Sequence, residues 1–239
     1  MKKTFIVGSA PGEDELSFLS ENGLELVGKP CEADILLYEG GLLEALEGAD
    51  LSRLWAVVPF KTALAGNKVG PEDLRGQRML GRESFENENI GGVSGKIGRL
   101  VDSLDVKGQF SEISRFLKSN AIELVQNALI FKRSFGGEGE VELEVFESDT
   151  AYNIQVTDNF GALTRETILT KIRRAWTEKT CEDKETGAGL GLFMVLMASD
   201  AVVFKLKNLK QTRVCCIINK YKRLRHYKNK SPALFILKE

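Results

Sequence analysis

Three short motifs decide the fold: Glu-Leu-Val-Gln-Asn-Ala at 123–128, Val-Thr-Asp-Asn-Phe-Gly-Ala-Leu at 156–163, and Gly-Ala-Gly-Leu-Gly-Leu at 187–192. The first lies in a segment whose apolar residues recur at helical spacing. The second ends a segment of alternating apolar and polar residues, and the third precedes an apolar helical segment. The alternation predicts antiparallel strands with helices on one face and solvent on the other.

The second motif contains a carboxylate at the end of a predicted strand. A loop with Gly161 follows Asp158. A carboxylate accepts a hydrogen bond from the exocyclic amine of adenine, whereas guanine presents a carbonyl oxygen at that position. Glycine lets the backbone approach a base closely. An Asx turn at a strand end is the alternative interpretation of these residues.

The third motif predicts a phosphate-binding loop. Gly187, Gly189 and Gly191 allow backbone N–H groups to face an anion, and the following helix adds a favourable dipole. No buried strand leads into the motif, so it is not a dinucleotide-binding fingerprint. A flexible loop before a helix is the alternative.

The first motif places two polar side chains on one strip of a helix. Asn127 offers a neutral oxygen to Mg²⁺, and Glu123, one turn away, is positioned to accept a proton. A polar helix face is the alternative for this motif alone. The three motifs in this order predict a site for ATP and Mg²⁺.

Together the motifs resemble the N, G1 and G2 boxes of the GHKL ATPase superfamily. That superfamily includes gyrase-type topoisomerases, a class of heat-shock chaperone, histidine kinases and MutL. The resemblance covers 111–219 and implies a two-layer α/β sandwich, the Bergerat-type ATP-binding fold, with ATP under a mobile lid. It implies that Asn127 holds Mg²⁺, that Glu123 is the base-like residue, and that Asp158 with Gly161 recognises adenine. It also implies a lid hinge at Gly187, Gly189 and Gly191, and a Thr near the adenine-binding Asp at Thr212.

The sequence departs from these boxes at three positions. Phe160 and Ala162 stand where G1 usually has glycines, and Gln211 replaces the usual glycine before Thr212. These departures concern nucleotide affinity more than the fold. The predicted lid, 164–186, carries five cations, any of which is placed to reach a γ-phosphate: Lys171, Arg173, Arg174, Lys179 and Lys184.

The N-terminal part, 1–65, predicts a small α/β unit with parallel strands at 3–7, 33–38 and 54–58. It faintly resembles a degenerate response-regulator receiver domain, with Glu39 where that family has its phosphoacceptor Asp. Gly8-Ser9-Ala10 replaces the family's acidic pair. An unrelated α/β module is the alternative.

Three further segments complete the predicted organisation. We assign 66–110 to a linker region, with loop composition at 83–92 and a helix near 96–104 that packs on a neighbouring domain or forms a dimer contact. The ATP-binding domain is assigned to 111–220. Residues 221–239 are assigned to a basic tail whose apolar segment, 233–237, adds a strand to a sheet edge of this chain or of a partner.

Composition limits the functional classes. The 239 residues include 33 basic and 34 acidic side chains, so no basic excess points to a nucleic-acid partner. No apolar run approaches the roughly 20 residues of a membrane span. The four cysteines lack a Cys-x-x-Cys spacing, which is typical of free thiols. We therefore expect a cytoplasmic protein without a membrane segment.

The function is narrowed by what the chain lacks. Its one histidine, His226, lies in the basic tail, and no phosphoacceptor His precedes the first motif. One hypothesis is a bacterial signalling kinase that phosphorylates Ser, Thr or His of a partner protein. A second is a non-catalytic ATP sensor or scaffold that sequesters a partner, and a third is a regulator that has lost ATP binding. A homodimer is compatible with each hypothesis.

Overall fold

A computed structural model describes residues 2–7, 20, 24–29, 32–33, 35–38, 56–59, 77–104, 111–136, 138–178, 190–207, 210–220 and 232–238. The fold is mixed α/β. The strands are β1 (Lys2–Val7), β2 (Leu24–Leu26), β3 (Ile35–Tyr38), β4 (Ala56–Pro59), β5 (Arg78–Phe85), β6 (Val141–Glu147), β7 (Ala151–Asp158), β8 (Ala201–Lys207), β9 (Gln211–Asn219) and β10 (Ala233–Lys238). The helices bounded within the described residues are α1 (Ile90–Ser103), α2 (Ser111–Phe135), α3 (Arg165–Glu178) and α4 (Leu190–Ala198).

One ten-stranded sheet runs through the described part of the chain, in the order β2-β1-β3-β4-β10-β8-β9-β7-β6-β5. Strands β1 to β4 pair in parallel, as the sequence predicts for the N-terminal unit. Strands β5 to β9 pair antiparallel, which agrees with the prediction for β6 to β9. Strand β10 lies between the two sets, antiparallel to β4 and parallel to β8.

The alternation along β7 determines which side chains face the helices. Tyr152, Ile154 and Val156 belong to the main core together with Leu117 and Leu129 of α2. Because side chains on a strand alternate between faces, Asp158 falls on this helix-facing side. The strand thereby delivers a carboxylate to the sheet–helix interface.

The prediction of a solvent-exposed second face is wrong for the central strands. On that face Ala151, Ala201, Ile217 and Ala233 form a smaller buried cluster. Val203 and Cys215 are fully buried there as well. Central strands with both faces covered carry apolar residues at consecutive positions. This explains the nearly unbroken apolar runs of β8 and β9.

The prediction of a loop at 83–92 within a linker region is also wrong. Strand β5 continues to Phe85 and pairs with β6, and α1 begins directly after its cap, Asn89, whose side chain accepts the Gly92 N–H. Val93, Ile97 and Val101 recur every four residues and are buried in the main core. This apolar stripe outweighs the helix-weakening glycines. The remainder of the predicted linker, 66–76 and 105–110, lies outside the described residues.

The C-terminal apolar segment forms an interior strand instead of an added edge. Leu234 and Ile236 of β10 are buried in the main core, and the Tyr38 hydroxyl donates to the Pro232 carbonyl over 2.9 Å. Strand β2 was not predicted, because its three residues are too few to form a pattern. Gly8-Ser9-Ala10, Glu39 and the basic tail at 221–231 lie outside the described residues, so the receiver-like resemblance stays a prediction.

Candidate functional site

Asp158 is the last residue of β7 and is only 6% exposed. Its Oδ1 atom accepts the N–H groups of Phe160 and Gly161, at 3.2 and 2.8 Å. Gly161 has φ +57°, a left-handed conformation that glycine adopts without strain. Burial raises the pKa of Asp158, while hydrogen bonds from Gly161, Phe160 and Thr212 act in the opposite direction. The carboxylate thus organises the loop that follows it.

Thr212 lies directly opposite Asp158 in the β7–β9 ladder. It is 1% exposed, and its hydroxyl has no hydrogen-bond partner of good geometry, although it is near enough to lower the pKa of Asp158. The neighbouring Gln211 donates from Nε2 to Asn159 Oδ1 over 2.8 Å. Strand β9 therefore supports both the carboxylate and the loop after it.

A cavity between α2, α3 and the sheet brings Asp158 and Asn127 together. Eleven described residues line it: Leu124, Asn127, Ala128, Phe131, Val156, Asp158, Leu163, Lys171, Leu192, Phe204 and Val214. Its free volume is about 30 Å³, enough for about two water molecules. Its lining is mainly apolar around a few polar groups, as in small-molecule sites. A purine enters only if lining side chains move.

Glu123 lies under the first turn of α4. A Cβ placed on Gly191 would overlap Glu123 Oε2 and lie 3.6 Å from Asn127 Nδ2. A larger residue at position 191 would therefore displace the end of the flexible Glu123 side chain. Burial raises the pKa of Glu123. Glu123 is not among the cavity-lining residues, whereas Asn127 is.

Asn127 carries the clearest unsatisfied group of the site. Its Nδ2 atom is buried and has no hydrogen-bond partner. Buried polar groups are nearly always paired, so an unpaired one calls for an explanation. In either orientation of the amide, the group offers a polar atom beside the cavity.

The far end of α4 is fixed to α2 by a buried hydrogen-bond chain. Asn120 Nδ2 donates to Ser199 Oγ over 3.1 Å, and Ser199 Oγ donates to the Val195 carbonyl over 2.7 Å. Asn120 lies on the same strip of α2 as Glu123 and Asn127. This strip therefore anchors α4 at both ends.

The lid cations separate in the structure. Lys171 on α3 lines the cavity, and its Nζ lies 4.6 Å from the centroid of the Phe131 ring. Arg173 and Arg174 are exposed on the same helix. Lys179, Lys184, Gly187 and Gly189 lie outside the described residues, so their predicted roles stay predictions.

Several apolar cavity residues were not foreseen as site residues. Phe131 follows Asn127 by one helical turn, and that spacing was the available signal. Phe204 and Val214 come from β8 and β9 and are indistinguishable from core residues in the sequence. Pairing of β7, β8 and β9 brings them to Asp158.

The donor set fits a nucleotide with Mg²⁺ in part. Within the described ranges no group of three or more His, Cys, Asp or Glu side chains is placed to hold a metal. Mg²⁺ readily keeps phosphate oxygens and waters as ligands, so one amide oxygen from Asn127 suffices for protein contact. Asp158 and Asn127 have the donor and acceptor chemistry that a nucleotide needs. The cavity must widen before a nucleotide can enter, because its free volume is only about 30 Å³.

A second cavity lies apart from these residues. Its volume is about 480 Å³, and it runs between the start of α1 and the outer side of α2. Val93, Leu129 and Ile130 contribute apolar lining, and Glu88 and Arg133 contribute charges. It holds none of the predicted site residues.

Comparison with known proteins does not identify a family for this chain. No family model matches the sequence, and no curated protein matches it. Among solved structures the chain is similar to one in the crystal structure of the SiaB-SiaC complex from Pseudomonas aeruginosa, at 15% identity and a TM-score of 0.43, over 59% of this chain and 90% of that one. A likeness at that TM-score carries no argument about function. No helix in the described ranges has the length and apolarity to cross a membrane.

Proposed function

We propose that the chain is an ATP-binding signalling regulator whose nucleotide site is the cavity between α2, α3 and β7. The single observation that carries the proposal is the convergence of Asn127 and Asp158, distant in sequence, on one largely apolar cavity. Thr212 lies across the ladder from Asp158, as the GHKL resemblance implies. On this interpretation the helices and the sheet form a Bergerat-type sandwich.

Each polar group has a defined task in the proposed complex. Asp158 accepts the exocyclic amine of adenine, while its Oδ1 remains tied to the loop. The unpaired hydroxyl of Thr212 supports the same edge of the base. Asn127 supplies its amide to the phosphates and Mg²⁺, and the N-terminus of α4 favours the phosphate charge. Mg²⁺ neutralises phosphate charge when bound.

Thermal stability with and without ligand tests the proposal. Mg-ATP at a hundred times its Kd should stabilise the fold by about 2.7 kcal/mol, and Mg-GTP should do so much less. Asp158→Asn should remove the ATP shift, because an amide no longer offers the carboxylate acceptors. Asp102→Asn, an exposed position on α1, is the matched control and should keep the shift. No shift of wild type at millimolar Mg-ATP would overturn the proposal.

A bound nucleotide could serve either a kinase reaction or a non-catalytic sensor, and the position of Glu123 favours the sensor. A kinase needs the Glu123 carboxylate free to reach the attacking hydroxyl, whose proton it accepts. In the structure Glu123 lies under Gly191 and outside the cavity lining. We therefore propose, as the alternative to a partner-directed kinase, a sensor that binds ATP and captures or releases a partner protein without chemistry.

Glu123→Gln separates these uses. Glutamine keeps the volume and removes the base. For a kinase, the variant should retain ATP binding and lose phosphate release or transfer by about 10²- to 10⁴-fold. For a sensor, wild type and variant should bind ATP equally and show the same negligible turnover. Equal turnover well above background in both proteins would contradict both assignments of Glu123.

A further inference from the structure

The cavity has an interior and an entrance that differ in exposure. Seven lining residues are buried, including Asp158, Phe204 and Val214. The other four, Asn127, Phe131, Leu163 and Lys171, are half-buried. Because the Asn127 amide nitrogen is itself buried, the other three, Phe131, Leu163 and Lys171, form the side of the cavity nearest to solvent. Ligand entry depends on their arrangement.

Two of the entrance side chains meet across the cavity. Lys171 comes from α3 and Phe131 from α2, and the ammonium lies 4.6 Å from the ring centroid. This is within the distance at which a cation is attracted to an aromatic face. The Phe131 ring also stacks on Phe135, with centroids 5.9 Å apart and planes at 15°. The contact therefore joins a flexible cation to a ring that has a second support.

We propose that Lys171 closes the nucleotide cavity by lying over Phe131, and that ATP enters only when this contact opens. The proposal rests on the proposed function of the cavity and adds its regulation. The free volume of about 30 Å³ requires such an opening. The other polar groups, Asp158 and Asn127, remain in place behind the closure.

The Lys171 side chain, and not the whole of α3, is the moving part. Ile168, Leu169 and Ile172 of α3 are fully buried in the main core. The Thr164 hydroxyl caps the helix by accepting the Thr167 N–H. Lifting α3 would expose this apolar surface, whereas rotating a lysine side chain exposes almost none. Such rotations occur within nanoseconds.

Because the lysine rotates much faster than ligand binds, the closure affects binding only through the fraction of molecules whose cavity is open. The observed association rate is the intrinsic rate multiplied by that fraction, and the apparent Kd rises by its inverse. Removing a contact of this strength should raise the association rate by about two- to fivefold. The dissociation rate should not change, because the contact is already broken in the complex.

Stopped-flow binding of a fluorescent ATP analogue tests the closure. Lys171→Ala and Lys171→Met should each bind about two- to fivefold faster with unchanged dissociation. Lys171→Arg should behave like wild type, because guanidinium also lies well over an aromatic ring. Arg99→Ala removes an exposed cation of α1 that does not line the cavity, and it should change neither rate.

The outcomes separate the closure from the function on which it rests. Faster dissociation of Lys171→Ala with unchanged association would make Lys171 a phosphate contact and overturn the closure alone. Unchanged rates in every variant would also overturn it while ATP binding stands. If neither protein binds ATP, both the closure and the proposed function fail.

Discussion

Asp158 stabilises the loop that follows it, although its buried position disfavours the ionised form of its carboxyl group. Two backbone N–H groups need its oxygen, so some acceptor at this position is structural. The negative charge is not needed for that, and burial raises the pKa of the carboxyl. A buried charge retained against its own stability is typical of a binding or catalytic position.

Replacing Asp158 by Asn should therefore separate stability from binding. Asparagine keeps an oxygen for the two N–H donors and carries no charge. Because the folded-state pKa of Asp158 lies above its unfolded value, ionisation weakens the wild-type fold as pH rises through that pKa. The variant should be at least as stable as wild type at pH 7, and its advantage should vanish below pH 3.8, the ordinary pKa of the side chain. Urea unfolding across pH measures this. A variant that is less stable at neutral pH and relatively worse in acid would contradict it.

The polar half of the site could be predicted from the sequence, and the closure could not. Asp158, Asn127 and Thr212 carry groups whose chemistry is visible in the letters alone. Lys171 was one of five equivalent lid cations until α3 placed it over Phe131. Its role depends on how two helices pack, which no local pattern encodes.

The contact between α2 and α4 depends on a missing side chain. Gly191 has no positive φ, so its backbone suits any residue, yet a Cβ there would overlap the Glu123 carboxylate. The cost of a larger residue at position 191 is therefore set by the Glu123 side chain of the neighbouring helix. It disappears if the carboxylate is removed.

A double-mutant cycle tests this contact. Gly191→Ala should change the free energy of unfolding by less than about 1 kcal/mol in wild type, because displacement of the Glu123 carboxylate offsets the helix preference of alanine. In a Glu123→Ala background it should be stabilising, since alanine favours helix over glycine by about 1 kcal/mol. Urea unfolding of the four proteins gives the coupling energy. An equal change in both backgrounds would show that the carboxylate is not the obstacle.

Strand β5 and helix α1 show where sequence patterns mislead. The segment 83–92 mixes charges and glycines, which is typical of loops, and four glycines lie at positions 91, 92, 95 and 98 of α1. The stripe of Val93, Ile97 and Val101 was partly recognised, but its partner surface on α2 and β5 is formed only in three dimensions. Propensity is a weak indicator where tertiary burial opposes it.

Ile97 should accordingly behave as a residue of the main core. Ile97→Ala should lower the free energy of unfolding by about 2–5 kcal/mol, because the side chain is fully buried. Arg99→Ala, two residues away and exposed, should change it by less than about 0.5 kcal/mol. Thermal unfolding of the three proteins checks this. Similar small effects at both positions would restore the linker interpretation.

At the scale of the whole molecule, β10 unites two sets of strands. It pairs with β4 of the parallel set and with β8 of the antiparallel set, and the Tyr38 hydroxyl adds a buried hydrogen bond to Pro232. The sequence predicts two separate domains because each set has its own pattern. Only the placement of β10 makes them one sheet.

Removing β10 should therefore uncouple the two sets. A chain ended at residue 231 exposes the edges of β4 and β8 and loses the buried side chains of Leu234 and Ile236. We expect wild type to unfold in one transition and the shortened chain to unfold in two, or to aggregate through its edges. Leu234→Ala should instead lower stability by about 2–5 kcal/mol without splitting the transition. Calorimetry distinguishes these cases, and a single unchanged transition of the shortened chain would contradict the role of β10.

The same strand also affects the order in which the protein assembles during synthesis. Strand β10 begins at Ala233, 174 positions after β4 ends at Pro59, so β4 waits for this neighbour until about that many further residues have been translated. At ribosomal rates this interval is roughly 9 to 35 s. Throughout it an unpaired apolar edge is open to a strand from another nascent chain. We therefore expect folding to depend on chaperones, and we expect domain-swapped dimers to form by exchange of β10 at its pairing with β4.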